Sequence, residues 1–400
     1  MTNYTFDLIS KSGDSVSIGG GTTNLIGELG NYPSINDFGS VAFIGKFGTG
    51  FSAPTDLLVS NPLGNIINLS DQDFGKFGNQ VQINNNNQVI SRDSSGGSQA
   101  IRVWDAGVSN SYSVEATGGL YANLYDFSFL YPFQRINDNG QSVFVGNTSF
   151  GFSQNQVLAT QKGQTRDYNK IDVASANIKP SIANNGNIVF REHNSDSIRL
   201  TDYQLNLLGT IASNNSGFSS VGVGTSISDD GKVVAFYGDL DNPGATPATE
   251  GLEAGEGIFI SIEKDSGREI KRIAGISGNN ILDPGETYVD LNENGQFDSG
   301  TETDVGLSAN FNTDESLGVS FTETDNGGFG TIAYLASDQN DSESLISSKY
   351  NISFDDETES IQTNVTSELV AKVGEPANEI KSDLTGDIQD LNIYCSDLKL

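Results

Sequence analysis

The sequence predicts an all-β fold, and three observations carry that prediction. Glycine occurs 46 times in 400 residues, and a chain so rich in turn formers leaves little room for long helices. Hydrophobic residues make up 36% of the chain, which suits a core spread over many small sheets. One pattern recurs five times: PSINDFGSVAFIG from Pro33, VQINNNNQVISR from Val81, QRINDNGQSVFVG from Gln134, PSIANNGNIVFRE from Pro180 and TSISDDGKVVAFYG from Thr225.

The anchoring isoleucines are Ile35, Ile83, Ile136, Ile182 and Ile227, spaced by 48, 53, 46 and 45 residues. That is the period of a propeller blade. Within a repeat, a short apolar piece runs into adjacent Asn/Asp residues and, in most copies, a glycine. These residues tolerate positive φ, and Asx side chains bond their own backbone, so the segment reads as a tight hairpin turn. An alternating strand follows, with Val41 and Phe43 in the first copy and Val143 and Val145 in the third. A second hairpin follows in each repeat, as in TDLLVSNPLGNIINLS and EGIFISIEKDSGREIKRI. Each repeat therefore supplies about four strands, one antiparallel blade.

A sixth, degenerate copy runs from SANFNTDESLGVSFTE, near Phe311, to GTIAYLAS. Ile227 and Phe311 are 84 residues apart, and an insertion over 276–305 accounts for the excess over one blade. The N-terminal strand YTFDLI (4–9) is expected to complete the last blade and close a six-bladed β-propeller, since closure removes exposed sheet edges. The propeller is expected over 1–350, with an acidic tail or linker over 351–400. Within that tail, TSELVAKVGEP is expected to form one short element.

The copy ISDDGKVVAF resembles the TolB-like propeller repeat, whose turn reads roughly S-P-D-G-K before an I-A-F strand. The chain is also similar to a bacterial family, frequent in cyanobacteria, built from PSINDxGxVAF repeats. That family shares a YTF-type start, an LDNPGAT…GIF loop and an RIAG…LDPGET…D-x-N-x-NG…VG insertion. Here they stand as YTFDLI, DLDNPGATPATEGLEAGEGIF and RIAGISGNNILDPGETYVDLNENGQFDSGTETDVG. The resemblance covers about residues 4–350. It implies the propeller and suggests metal binding, and it brings no activity with it.

The insertion is the one segment dense in candidate ligands. Asp283, Glu286, Asp290, Glu293, Asp298, Glu302 and Asp304 fall in 22 positions with no Lys or Arg between them. Asp290, Asn292, Asn294, Gly295 and Asp298 occupy positions 1, 3, 5, 6 and 9 of an EF-hand-type loop. Alternate oxygen side chains turn toward one centre, Gly295 permits the sharp turn, and the Gln296 carbonyl takes position 7. Position 12 departs from the pattern, because it is Thr301 and Glu302 comes one later. Asp283 or Glu286 could supply the missing carboxylate. Hard oxygen donors without His or Cys select Ca²⁺. The expected ligands are therefore Asp290, Asn292, Asn294, Gln296, Asp298, Glu302, Asp283 and Glu286. The INDxG turns carry adjacent rather than alternating oxygens, so turn chemistry explains them without calcium.

Lys and Arg number 21 against 52 Asp and Glu, a net charge of −31. A nucleic-acid binder needs a basic footprint, so that class is excluded. Docking on anionic membranes is disfavoured, and no apolar run approaches the length of a membrane helix. One Cys and one His rule out a disulfide framework and a Cys/His zinc site. His193 reads as an exposed loop residue, Trp104 as blade packing and Cys395 as a lone thiol near the terminus. G-x-S-x-G and G-x-x-x-x-G-K-[ST] are absent.

The leading expectation is a non-enzymatic, calcium-binding propeller that engages a protein or glycan ligand, without nucleic-acid binding or membrane insertion. A propeller hydrolase or lactonase with a calcium in the central channel is the alternative. The N-terminus shows no signal peptide. The acidic, Lys-poor, Cys-poor composition points to an extracellular or cell-surface setting, with the cytoplasm as the alternative.

Overall fold

The computed structural model describes residues 15–17, 23–26, 28–29, 33–47, 55–61, 63, 65–70, 76–95, 98–108, 111–119, 127, 129–147, 155–164, 168–173, 178–192, 195–252, 254–264, 267–275, 296, 298, 317–324, 327–337, 343–355 and 360–372. These residues are all-β. Among them, the helical structure amounts to short 3₁₀ turns such as Asn214–Ser216 and Pro247–Thr249. No described helix is long and apolar enough to cross a membrane.

A short N-terminal pair, β1 (Ser15–Ser17) and β2 (Thr23–Leu25), precedes six larger sheets. The first sheet holds β3 (Glu28–Leu29), β4 (Ser34–Ile35), β5 (Val41–Lys46), β6 (Thr55–Ser60) and β7 (Ile66–Asn68), with both β3 and β4 paired to β5. Four-stranded antiparallel meanders follow. The second is β8 (Lys76–Ile83), β9 (Gln88–Ser95), β10 (Ser98–Asp105) and β11 (Tyr112–Gly119). The third is β12 (Phe129–Ile136), β13 (Gln141–Asn147), β14 (Asn155–Gln161) and β15 (Asn169–Val173). The fourth is β16 (Ser181–Ile182), β17 (Ile188–Glu192), β18 (Ser197–Thr201) and β19 (Leu207–Ala212). The fifth is β20 (Phe218–Ile227), β21 (Val233–Leu240), β22 (Gly255–Lys264) and β23 (Gly267–Gly275). The sixth is β24 (Leu317–Thr324), β25 (Gly327–Ser337), β26 (Glu343–Asp355) and β27 (Ser360–Lys372).

Successive meanders pack face to face, and the first strand of each lies against the first strand of the one before. That is the blade arrangement of a β-propeller. The strand pattern explains why. In β5, Val41 and Phe43 face one side and Ala42 and Ile44 the other, and all four are buried. A sheet apolar on both faces must be sandwiched. Accordingly each apolar cluster joins two neighbours. Ala42, Leu57 and Val59 meet Ile83, Val89 and Trp104. Ile101 and Val103 meet Ile136 and Phe144. Val143 and Val157 meet Ile182 and Phe190. Val189 and Ile198 meet Ile227 and Phe236. Val233 and Tyr237 meet Val319 and Tyr350. Burial of one such side chain stabilises by about 1.5–3 kcal/mol, so the seams are the core of this molecule.

Two expectations need correction at the C-terminal end. The boundary at 350 falls inside β26, and residues 360–372 form the 13-residue strand β27 rather than a loose tail. β27 pairs with β26 from Ser344↔Lys372 to Asp355↔Ser360. The sixth sheet thus draws its four strands from 317–372, in the order β24-β25-β26-β27. Residues 4–9 themselves lie outside the described residues.

Candidate functional site

The INDxG turns join the first and second strands of successive sheets, and the structure binds them into a continuous row. In the first three turns the leading residue is Asn and works twice. Its Oδ1 closes its own turn by accepting from the backbone four residues on: Asn36 from the Ser40 N–H at 2.9 Å, Asn84 from Gln88 at 2.8 Å, Asn137 from Gln141 at 2.9 Å. Its Nδ2 donates to a main-chain carbonyl of the next turn. Asn36 reaches Asn84 O at 3.0 Å, Asn84 reaches Asn137 O at 2.8 Å, and Asn137 reaches Ala183 O at 2.8 Å.

The second turn residue adds a parallel line of bonds. The Asp37 N–H donates to Asn85 Oδ1 at 3.0 Å, Asn85 to Asp138 Oδ1 at 2.8 Å, and Asp138 to Asn184 Oδ1 at 2.8 Å. The Asn184 N–H then donates to Asp229 O at 2.8 Å. Amides alternate with carboxylates here. Asn85 Nδ2 donates to both Asp37 and Asp138, and Asn184 Nδ2 donates to Asp138 at 3.0 Å. An amide between two acids gives each carboxylate a donor and keeps like charges apart.

The third residue completes the row. Asn86 donates to Asp138 O, Asn139 to Asn184 O at 2.5 Å, and Asn185 to Asp230 O at 2.8 Å. The side chains that made calcium tempting at these turns are therefore engaged in joining repeats. Among the described residues, no group of three or more His, Cys, Asp or Glu is poised to hold a metal.

Below the turns, the first strands are tied in the same manner. The Ile83 N–H donates to Ser34 Oγ at 3.2 Å, Ile136 to Gln82 Oε1 at 2.7 Å, and Val319 to Ser226 Oγ at 3.2 Å. Thr225 Oγ1 donates to Lys179 O at 3.2 Å, and the Lys179 ammonium lies 5.5 Å from the Phe133 ring centre.

Trp104 is fully buried, donates from Nε1 to Ser91 Oγ at 2.8 Å and packs on Phe77 and Tyr112. It is a packing residue, not a platform for a sugar. Beside it, Arg102 pairs with the buried Asp93 at 3.0 Å. Burial pushes the Asp93 carboxyl up, and the Arg102 guanidinium works in the opposite direction.

The acidic insertion lies between β23 and β24. Of the expected ligands, the structure describes Gln296, which is exposed, and Asp298, which is half-buried, and both make polar contacts. Asp283, Glu286, Asp290, Asn292, Asn294 and Glu302 lie outside the described residues, as do His193 and Cys395. The donor set, carboxylates, amides and a carbonyl, fits calcium and lacks the nitrogen or sulfur that a transition metal prefers.

Sequence reasoning found the turns but missed their bonds to one another. One signal was present: where the first turn residue is Asn84 or Asn137, the fifth is Gln88 or Gln141. The Asn Nδ2 donates to that Gln Oε1 at 3.0 and 2.8 Å.

No family model matches the chain, and no curated protein matches it. Solved structures similar to it include an ancestral GH74 enzyme, at 10% identity and a TM-score of 0.46, covering 87% of this chain and 39% of that one. A streptogramin B lyase gives 11% identity and a TM-score of 0.36, with 84% and 85% covered. The WD40 domain of SCAP from fission yeast gives 10% identity and a TM-score of 0.32, with 85% and 76% covered. At such scores none of them lends this chain an activity.

Proposed function

We propose that this chain is a non-enzymatic, calcium-binding, six-bladed propeller that serves outside the cell or on its surface as a module for a protein or glycan ligand. The observation that carries this reading is where the hard oxygen donors collect. In the turn row they are engaged with one another, whereas the insertion between the fifth and sixth sheets concentrates acids without a neighbouring Lys or Arg. When bound there, calcium supplies charge neutralisation. Asp290, Asn292, Asn294, Gln296 and Asp298 would hold it, with Glu302, Asp283 or Glu286 as the further carboxylate.

The propeller hydrolase is less well supported. Among the described residues of β4, β8, β12, β16, β20 and β24 the one carboxylate is Glu323, and it is paired with Lys232. Glycoside hydrolysis needs two facing carboxylates.

Calorimetric titration of the whole chain tests the reading. Neutral Asn292 and Asn294 and the irregular position 12 weaken the site, so a dissociation constant on the order of 10⁻⁴–10⁻³ M is expected. Asp290→Ala with Asp298→Ala should abolish the binding. Equal calcium uptake by both proteins would place the site elsewhere.

A further inference from the structure

Two of the turns carry asparagine directly before glycine: Asn139–Gly140 in the third and Asn185–Gly186 in the fourth. The same positions hold Phe38–Gly39 in the first turn and Asn86–Asn87 in the second. Asparagine is among the chemically labile residues, and a following glycine, lacking Cβ, leaves its own amide nitrogen open to approach. Both asparagines are exposed, so solvent water reaches them. Asn294 and Asn326, which also precede glycine, lie outside the described residues.

The reaction open to such a pair follows from its atoms. The glycine nitrogen attacks the asparagine Cγ, an N–Cγ bond forms, and the amide proton passes to solvent. The Cγ–Nδ2 bond breaks, and ammonia leaves with a proton returned by solvent, which closes a succinimide. Water then opens the ring at either carbonyl and gives aspartate or isoaspartate. One asparagine and one water thus yield one acid and one ammonia.

The row of turns opposes the attack at both partners. Asn139 Nδ2 donates to Asn184 O at 2.5 Å, and Asn185 Nδ2 to Asp230 O at 2.8 Å. The Gly140 N–H donates to Asn137 O and the Gly186 N–H to Ala183 O, both at 3.0 Å. Each pair has a third restraint. Gln161 Nε2 donates to the Asn139 carbonyl at 2.7 Å. In the fourth turn the leading residue is Ala183, which has no side-chain oxygen, and the Asn187 N–H donates to Asn185 Oδ1 at 2.9 Å. Ring closure therefore requires the carboxamide to leave the neighbouring turn and the glycine nitrogen to leave its own.

From this geometry we propose that Asn139 and Asn185 are modification sites that the row holds shut, and that each converts only while its link to the next turn is open. Conversion removes the Nδ2 donor. It also places a new carboxylate beside Asp138 in the third turn, or opposite Asp230 in the fourth, so the link does not re-form. A passing separation of two sheets is thereby made permanent.

The test incubates the whole chain in mildly alkaline buffer, folded and in guanidinium, and follows the mass gain of each asparagine by peptide mapping. Both sites should convert at least about tenfold more slowly in the folded chain, as for groups reached through local opening. Asn184→Ala removes two of the bonds between the third and fourth turns. In that variant Asn139 should convert about fivefold faster or more, the factor of one lost hydrogen bond, with Asn185 unchanged. Equal rates in folded and unfolded wild type at either site overturn the proposal. So does an Asn184→Ala chain in which Asn139 converts no faster, or in which both sites speed up alike, since that reports opening of the whole molecule. Should Asn184→Ala fail to fold, Asn184→Asp, which keeps the side-chain shape and loses Nδ2, is judged by the same outcomes.

Discussion

Asn137 performs two tasks with one amide group, and substitutions can separate them. Its oxygen closes the turn from which it comes, and its nitrogen reaches Ala183 O in the next repeat. Asn137→Asp keeps the acceptor and loses the donor; Asn137→Ala loses both and strands the part-buried Gln141 N–H. Each hydrogen bond contributes about 1 kcal/mol net, and an orphaned buried group costs about 1–3 kcal/mol. Denaturant unfolding should therefore place both variants below wild type, and Asn137→Asp loses more than the bond alone because its buried carboxylate faces Gln141 Oε1 and Ala183 O. An Asn137→Asp chain as stable as wild type would mean that the cross-repeat bond contributes nothing. The turn itself was legible in the sequence, because Asx–Gly chemistry is local. The cross-link was not, because its acceptor lies 46 residues away.

A second residue gives a pH dependence. Burial alone would push the Glu269 carboxyl up, but Lys264 and Lys271, at 2.8 and 2.6 Å, outweigh it and hold it below the ordinary range. A lowered folded-state pKa means stability that is present above the unfolded value, about 4.3, and lost as pH falls through the folded one. Glu269→Gln should cost less than about 1 kcal/mol at neutral pH, less in high salt, and nothing at strongly acidic pH. A loss that persists undiminished in acid would contradict this.

At the scale of the element, the turn glycines record how closely neighbouring turns approach. Gly231 has φ +79°, and a Cβ there would meet Asn185 Nδ2 at 2.2 Å. Gly231→Ala therefore strains its own backbone and displaces the side chain that links the fourth turn to the fifth. A loss of roughly 1–3 kcal/mol is expected in thermal unfolding. A loss of a few tenths would show that the fifth turn relaxes freely.

Strands were legible from short apolar runs, as in VAFIG (41–45) and VFVG (143–146), which the structure buries on both faces. β27 was misjudged because the acidic run DDETES precedes it and its sequence, SIQTNVTSELVAK, is mostly polar. The β-branched Ile361, Thr363, Val365 and Thr366 were the available signal.

For the whole molecule, the spacing of the isoleucines gave the blade period before any side-chain contact was known. It could not show how the repeats hold together, because the seams depend on residues some 45–54 positions apart, such as Gln134 on Gln80 O at 2.8 Å. The acidic insertion was legible as a ligand set by composition and spacing, and most of it lies outside the described residues.

The row of turns also bears on how the molecule breathes. The turn amides of Asp37, Asn85, Asp138 and Asn184 sit at the protein surface, where amides ordinarily exchange with solvent almost freely. Each of them donates sideways into the next repeat. Their release therefore needs two sheets to part, an event far rarer than the fraying of one hairpin. Deuterium uptake at these four amides should track the opening of whole seams, while Leu63, on an exposed loop bonded within its own sheet, exchanges early. The surface would then report on the interior, with each pair of neighbouring turns acting as a latch whose lifetime measures how firmly two blades are held.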